Sequence, residues 1–112
     1  MKRELIFYEH YFEEFFAKQN KKVQEKIVYV LRVLEDIERI PEQHLKHITG
    51  TDGLYEARIK LGSNIYRVFC FFDKGRLVIL LNGFQKKTQK TPKKEIKLAL
   101  RLKKEYYEDK QD

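Results

Sequence analysis

The sequence predicts one α+β domain over residues 1–112, with elements in the order β-α-α-β-β-β-α. Apolar residues recur every three or four positions near both ends of the chain, which is typical of amphipathic helices. In the middle they recur every second position, which is typical of half-buried strands. Helices that flank a strand meander in this way predict an antiparallel sheet with the helices packed on one face.

The first part of the chain is predicted to form one strand and two helices. Residues 4–8 (ELIFY) are short and rich in β-formers, whereas residues 10–19 (HYFEEFFAKQ) place aromatic residues at helical spacing. Asn20 is a suitable N-cap for a longer second helix. That helix is predicted to end near Pro41, because the residue before a proline resists helical dihedral angles.

Residues 41–53 predict a polar connection, and three strands should follow it. Gly75 is expected at a positive φ in the hairpin turn between the second and third of these strands. Thr91 and Pro92 are expected to start the last helix, as its N-cap and first helical residue. The second predicted strand is almost wholly apolar, which favours a central position covered on both faces along part of its length. The three predicted strands span residues 54–61, 65–72 and 76–84.

Positive charge is concentrated in the second half of the chain. The net charge is +7, yet residues 1–53 carry a net −1 and residues 54–112 a net +8. Residues 84–104 alone contain nine Lys and Arg and one acid. Such a surface favours a polyanionic partner, most commonly nucleic acid, although it could also serve only to keep the protein soluble.

Several classes of function lack support in the sequence. The single cysteine, Cys70, lies in an apolar run and is expected to be a buried, inert thiol. His10, His44 and His47 all precede the meander and lack metal-ligand spacing, so neither a metal nor a cofactor is expected. No phosphate-binding loop or nucleophile motif is present. The N-terminus has no apolar segment of membrane-spanning length, which predicts a cytoplasmic protein without a membrane partner.

Basic side chains are expected to converge at the meander. Arg58 and Lys60 share one face of a strand, and Arg67 lies on the next strand. Lys86 and Lys87 follow the third strand. Each solvated pair of cations repels by about 1 kcal/mol or less, so a bound anion should offset the clustering. Phosphate fits this requirement, because its paired oxygens match the guanidinium group.

Less specific interpretations of the same residues remain open. In these interpretations, Arg58 forms an ion pair with Glu56 or with an acid of another strand, and Arg67 is a packed stem whose head group lies at the sheet margin. Lys86 and Lys87 are then only a solvated strand end.

A second group of cations belongs to the last helix and the segment before it. Their long, mobile side chains suit contact with phosphates better than proton transfer. We therefore expect an RNA- or ribosome-binding surface, opposite a packed face that includes Leu100 and Tyr107. A solvated helix face is the simpler alternative. The group comprises Lys90, Lys93, Lys94, Lys97, Arg101 and Lys104.

The run LYEARIKLGSNIYRVFCFFDKGRLVILLNGFQKKTQKTPKKEIKLA (residues 54–99) resembles the RelE/HigB superfamily of type II toxins, in particular its phage-derived HigB-like branch. The resemblance extends over nearly the whole chain. Its most specific parts are the strand pair with Arg58, Lys60 and Arg67, and the segment GFQKKTQKTP. It implies a RelE-like fold and cleavage of mRNA on the ribosome, leaving a 2′,3′-cyclic phosphate and a 5′-hydroxyl. It also implies an antitoxin of the helix-turn-helix type, through which alone operator DNA would be bound.

The resemblance also implies roles for individual residues. Arg58 and Lys60 match two basic residues that act as base and acid, and Arg67 matches the arginine that holds the phosphate. Lys86 or Lys87 matches a further basic residue. However, residues 88–92 lack the tyrosine that RelE-like toxins carry there, and an arginine is a poor proton acceptor.

The leading hypothesis is therefore a ribosome-dependent mRNA endonuclease with Arg67 on the scissile phosphate and Lys60 in proton transfer. RNA carries its own nucleophile, the 2′-hydroxyl, so that no metal is required. The alternative from a different class is a nonenzymatic module that blocks translation by occupying the ribosome. A third hypothesis, a mainly regulatory protein that acts with its antitoxin on DNA, depends on the resemblance alone.

Overall fold

The computed structural model describes residues 2–111. It confirms the predicted α+β class and the predicted order of elements, and it adds one strand. The elements are β1 (Glu4–Phe7), α1 (Tyr11–Ala17), α2 (Lys21–Asp36), β2 (Leu45–His47), β3 (Tyr55–Leu61), β4 (Asn64–Phe72), β5 (Leu77–Lys86) and α3 (Lys93–Lys110).

The additional strand, β2, lies in the segment that we predicted to be an irregular connection. It pairs antiparallel with β3, with Leu45 opposite Ala57 and His47 opposite Tyr55. With only three residues, it is too short to show a period of its own. Its pairing with β3 therefore defines it, and this pairing carries residues 41–47 to the edge of the sheet.

The five strands form one mixed sheet in the order β1-β5-β4-β3-β2. The predicted meander of β3, β4 and β5 is confirmed, and Gly75 has the expected positive φ of 65°. The sheet is not wholly antiparallel, however, because β1 pairs parallel with β5. Local patterns do not report the direction in which two distant strands pair, which is why the sequence missed this feature.

The helices pack on both faces of the sheet, which corrects the prediction that they share one face. Helices α1 and α2 cover the face that carries Ala57, Ile59 and Val68. Helix α3 covers the opposite face, against Phe69 and Phe71 of β4. Strand β4 is thus central and buried on both sides, as its apolar run predicted, and a strand of this kind needs a cover on each face.

The helix boundaries follow the sequence in part. Asn20 caps α2 as predicted, since its side chain accepts a hydrogen bond of 3.0 Å from the Val23 amide. That helix ends at Asp36, earlier than predicted, because Ile37 already has extended dihedral angles. Helix α3 begins one residue after Pro92. Pro92 occupies the N-cap position, so the prediction of Thr91 as N-cap was wrong.

Candidate functional site

Three predicted site residues meet on the sheet face that α3 covers only in part. In the register of β3 and β4, Arg58 lies directly opposite Arg67, and Lys60 lies opposite Ile65. Directly opposed residues project from the same face of a sheet, as do residues two apart on one strand. The structure therefore brings Arg58, Lys60 and Arg67 together. We call these three residues, with Glu56, the strand cluster.

Glu56 is the acid on which both arginines converge. It is only 4% exposed, and its Oε2 accepts a hydrogen bond of 3.1 Å from Nε of Arg58. The same oxygen lies 3.4 Å from Nε of Arg67, an ion-pair distance without hydrogen-bond alignment. One carboxylate thus offsets part of the repulsion between two guanidinium groups. The cluster nevertheless keeps an excess of positive charge. Arg58 therefore forms the ion pair that was considered from the sequence, and the cluster as a whole can still attract an anion.

Arg67 is held more firmly than a surface arginine. Its side chain is buried, and one terminal nitrogen donates a hydrogen bond of 3.2 Å to the Tyr66 carbonyl. Burial lowers the pKa of Arg67 from its usual value and Arg58 lowers it further, whereas Glu56 opposes the change. An arginine starts from so high a pKa that it stays protonated in proteins. Arg67 is therefore a fixed cation, suited to a phosphate and unsuited to proton transfer.

Two adjoining cavities open onto the strand cluster. One, of about 250 Å³, is lined by Gln43, Ile59, Ile65 and the three basic residues of the cluster. The other, of about 400 Å³, shares Gln43, Arg58 and Lys60 with the first. Its wall is completed by Gly62, in the turn that follows Lys60 and Leu61, and by two residues that no sequence prediction had placed near the cluster, namely Lys26 and His44.

Both of these missed residues reach the cavity through tertiary contacts. His44 precedes β2, and its carbonyl accepts a hydrogen bond of 2.8 Å from the Arg58 amide. Lys26 projects from α2, on which the sequence revealed only the apolar stripe. No local signal points to either residue. Only the pairing of β2 with β3 explains why His44 lies beside Arg58.

Lys86 and Lys87 differ in where they lie relative to the strand cluster. Lys86 is the last residue of β5 and pairs with Ile65, two residues from Arg67 on β4. Alternation along β4 and β5 places Lys86 on the face of the strand cluster. Lys87 follows the strand and is exposed, as is Lys90 in the segment that leads to α3.

The cations of α3 form a separate, solvated group, which we call the helix stripe. All five are exposed, as predicted, but they are not all alike. Arg101 lies 3.4 Å from the Glu105 carboxylate in an ion pair. The packed face is narrower than predicted, since Leu100 is 38% exposed and Tyr107 is also exposed, whereas Leu102 and Tyr106 are buried. The helix stripe comprises Lys93, Lys94, Lys97, Arg101 and Lys104.

The C-terminal end of α3 is tied to the β4–β5 hairpin. One oxygen of Asp73 accepts hydrogen bonds of 2.7 Å from Lys110 and from the Tyr106 hydroxyl. The bond from Lys110 and that from Tyr106 hold the pKa of Asp73 at about 2, although burial opposes them. Burial and the bond to Asp73 raise the pKa of Tyr106 to about 12. These groups anchor the helix.

Three further expectations from the sequence concern the Cys70 thiol, metal binding and membrane-spanning helices. Cys70 is fully buried, and burial raises the pKa of its thiol to about 12. Within residues 2–111, no three His, Cys, Asp or Glu side chains are grouped closely enough to hold a metal ion. In the same range, no helix combines the length and the apolar character needed to cross a membrane.

Comparison with known proteins adds a family and a fold. The family described as "Phage derived protein Gp49-like" matches residues 14–104. No curated protein matches the chain significantly.

Two solved structures have a similar fold. The archaeal RelE–RelB complex from Pyrococcus horikoshii OT3 matches with 18% identity and a TM-score of 0.56, over 76% of this chain and 96% of that one. The RelB–RelE antitoxin–toxin complex from Methanococcus jannaschii matches with 15% identity and a TM-score of 0.55, over 78% and 99%. At these identities the likeness concerns the fold.

Proposed function

Because the chain belongs to the phage-derived Gp49-like family, a RelE-like branch of toxins from toxin–antitoxin systems, we propose that it cleaves mRNA on the ribosome and so inhibits translation. Its place of action would be the cytoplasm, where translating ribosomes are found. The observation that carries this proposal is the strand cluster, in which Arg58 and Arg67 face each other across β3 and β4 with Lys60 beside them.

The strand cluster supplies most of what RNA cleavage requires. In this reaction the 2′-oxygen attacks the neighbouring phosphorus, and the bond to the 5′-oxygen breaks, which gives a 2′,3′-cyclic phosphate and a 5′-hydroxyl. Negative charge accumulates on the phosphate oxygens in the transition state, where fixed cations stabilise it. Arg67 takes this role because two neighbouring groups already restrain it. Arg58 and Lys86 complete the cradle, with Lys87 at its exposed rim.

Lys60 is the proton-transfer group of the cluster. Arg58 and Arg67 stay protonated, so a lysine is the group of this set that can release a proton to a leaving oxygen. Lys60 lines both cavities together with Arg58, which supports this role towards a phosphate bound by the arginines.

The helix stripe fits a docking role on ribosomal RNA. Its cations are exposed, whereas the opposite side of α3 is packed on the sheet. Ribosomal RNA helices present phosphate backbones that such side chains can contact without reading sequence. Lys90 would extend this surface towards the strand cluster.

A cognate antitoxin is the expected protein partner. Both similar solved structures are complexes of a RelE toxin with RelB. For this chain we propose an antitoxin of the helix-turn-helix type, which would bring the pair to operator DNA.

Mapping RNA ends after induced expression tests the proposed function. New 5′-hydroxyl ends in translated messages are expected within minutes, and the same messages should stay intact when initiation is blocked. Purified protein should cut ribosome-bound mRNA far faster than naked RNA, because the ribosome must position the substrate. Growth arrest without new ends would instead support occupancy of the ribosome. Efficient, saturable cleavage of naked RNA would contradict the dependence on the ribosome.

A further inference from the structure

The strand cluster lacks a group that can accept the proton of the 2′-hydroxyl while Lys60 donates one. Arg58 and Arg67 cannot do so, because guanidinium groups stay charged. Glu56 is buried: its Oε2 is shared between the two arginines, and its Oε1 is shielded from solvent, so a substrate hydroxyl does not reach the carboxylate. A reaction that needs both a base and an acid therefore requires one further residue at the edge of the cavities.

We propose that His44 is this catalytic base. The assignment rests on the proposed function and adds the residue that removes the 2′-proton. His44 lies beside Arg58 through the hydrogen bond from the Arg58 amide to the His44 carbonyl. His44 lines the same cavity as Arg58 and Lys60, and this cavity adjoins the one that Arg67 lines.

The imidazole ring is restrained in a way that suits a base. It is half-buried, and it packs edge-on against Tyr29 of α2, with ring centroids 5.9 Å apart. Nε2 of His44 lies 3.1 Å from Nε2 of Gln43. In the tautomer that carries its proton on Nδ1, Nε2 accepts this contact from the Gln43 amide, which is the orientation that a base requires. A 2′-hydroxyl that replaced Gln43 would meet this same ring nitrogen.

Two protein groups then carry out the two proton transfers of the reaction. Nε2 of His44 takes the 2′-proton as the 2′-oxygen forms its bond to phosphorus. The bond from phosphorus to the 5′-oxygen breaks, and Lys60 gives that oxygen a proton. The products are the cyclic phosphate and the 5′-hydroxyl, and exchange with water restores both side chains. Neither an oxidant nor a metal ion enters the balance.

A substrate with a sulfur leaving group separates the two roles. Ribosomes programmed with mRNA that carries a 5′-bridging sulfur at the cleavage position release a thiolate, which needs no proton. We expect His44→Ala to cleave both the oxygen and the sulfur substrate at least about 10²-fold more slowly than the unmodified protein. Lys60→Ala should be slow on the oxygen substrate and close to normal on the sulfur substrate. Added imidazole should partly restore His44→Ala and leave Lys60→Ala unchanged.

His47→Ala is the matched control. His47 belongs to the same strand region, but it is exposed and contacts Tyr55 and the Thr51 carbonyl instead of the cluster. It should cleave normally. His44→Gln provides a second variant that keeps a polar side chain beside Gln43. Ribosome association and melting temperature should match the unmodified protein for all of these variants.

Two results would overturn the assignment of His44 as the base. One is cleavage by both His44 variants at nearly normal rates, and the other is recovery of His44→Ala on the sulfur substrate, which would make His44 a donor. In both cases the unmodified protein still cleaves, and the proposed function stands. Absence of cleavage by the unmodified protein on ribosome-bound mRNA would overturn the proposed function and this assignment together.

Discussion

The molecule has two basic regions, and they differ in what restrains each cation. In the strand cluster, the arginines are held by a buried carboxylate and Arg67 is only 7% exposed. In the helix stripe, the side chains are exposed and, Arg101 apart, have no acid as a described ion-pair partner among residues 2–111. Held cations can stabilise one geometry of a transition state, whereas mobile cations mainly add attraction. Removal of one positive charge from the strand cluster should therefore slow cleavage more than removal of one from the helix stripe.

The largest effect is expected for Arg67→Ala. Loss of a preorganised contact to the scissile phosphate should slow cleavage by about 10²-fold or more. Growth arrest and RNA-end mapping measure this loss, with protein level and circular dichroism measured in parallel. Arg101→Ala is the matched arginine in the helix stripe and should retain cleavage. Equal toxicity of the Arg67 variant and the unmodified protein would remove Arg67 from the site.

Glu56→Gln should have an intermediate effect. The amide keeps the size of the side chain but no longer offsets two guanidinium charges, so Arg58 and Arg67 should move apart. We expect cleavage to fall by about tenfold, equivalent to about 1.4 kcal/mol of transition-state stabilisation. Ribosome co-sedimentation should be unchanged. A variant with full activity would show that the arginines hold their positions without the carboxylate.

Smaller effects are expected for single cations of the helix stripe. Lys97→Gln should weaken ribosome association by a small factor and flatten its dependence on salt by about one unit of logarithmic slope or less. Arg101→Gln should have a smaller effect still, because Glu105 already competes for its charge. Co-sedimentation across a salt series, with RNA ends mapped for each variant, measures both. If Lys97→Gln abolished cleavage without changing association, the separation between docking and catalysis would be wrong.

The smallest effect on cleavage is expected for Asp73→Asn, which loosens the end of α3. The folded-state pKa of Asp73 is about 2, below its ordinary value of 3.8. Its contribution to stability is therefore fully present above about pH 4 and is lost as the pH falls towards 2. We expect Asp73→Asn to lower the free energy of unfolding at neutral pH by about 1–2 kcal/mol. The loss should shrink in acid, as urea titrations at several pH values would show. Unchanged stability at neutral pH would contradict this role.

Much of the strand cluster was predictable from the sequence. The alternation in residues 54–61 placed Arg58 and Lys60 on one face, and a close turn over residues 61–65 would bring Arg67 near them. Strand pairing after a tight turn leaves little freedom of register, so these inferences needed only local rules. The role of Glu56 was open, because a carboxylate on the same strand can point to solvent or to a neighbour. The burial of Glu56 and its contact with a second arginine, Arg67, depend on how that face of the sheet is covered in the folded domain.

The sequence by itself determined the class of the domain, the meander, the cap at Asn20 and the separation of the cations into strand and helix groups. These features follow from apolar periods and from dihedral preferences, which act over a few residues. The tertiary structure alone decided that α3 covers the face opposite α1 and α2, that β1 runs parallel to β5, and that β2 brings His44 to Arg58. These features join segments far apart along the chain. The chain adopts these arrangements because they cover both faces and the edges of one sheet. A local pattern of residues carries no information about that cover.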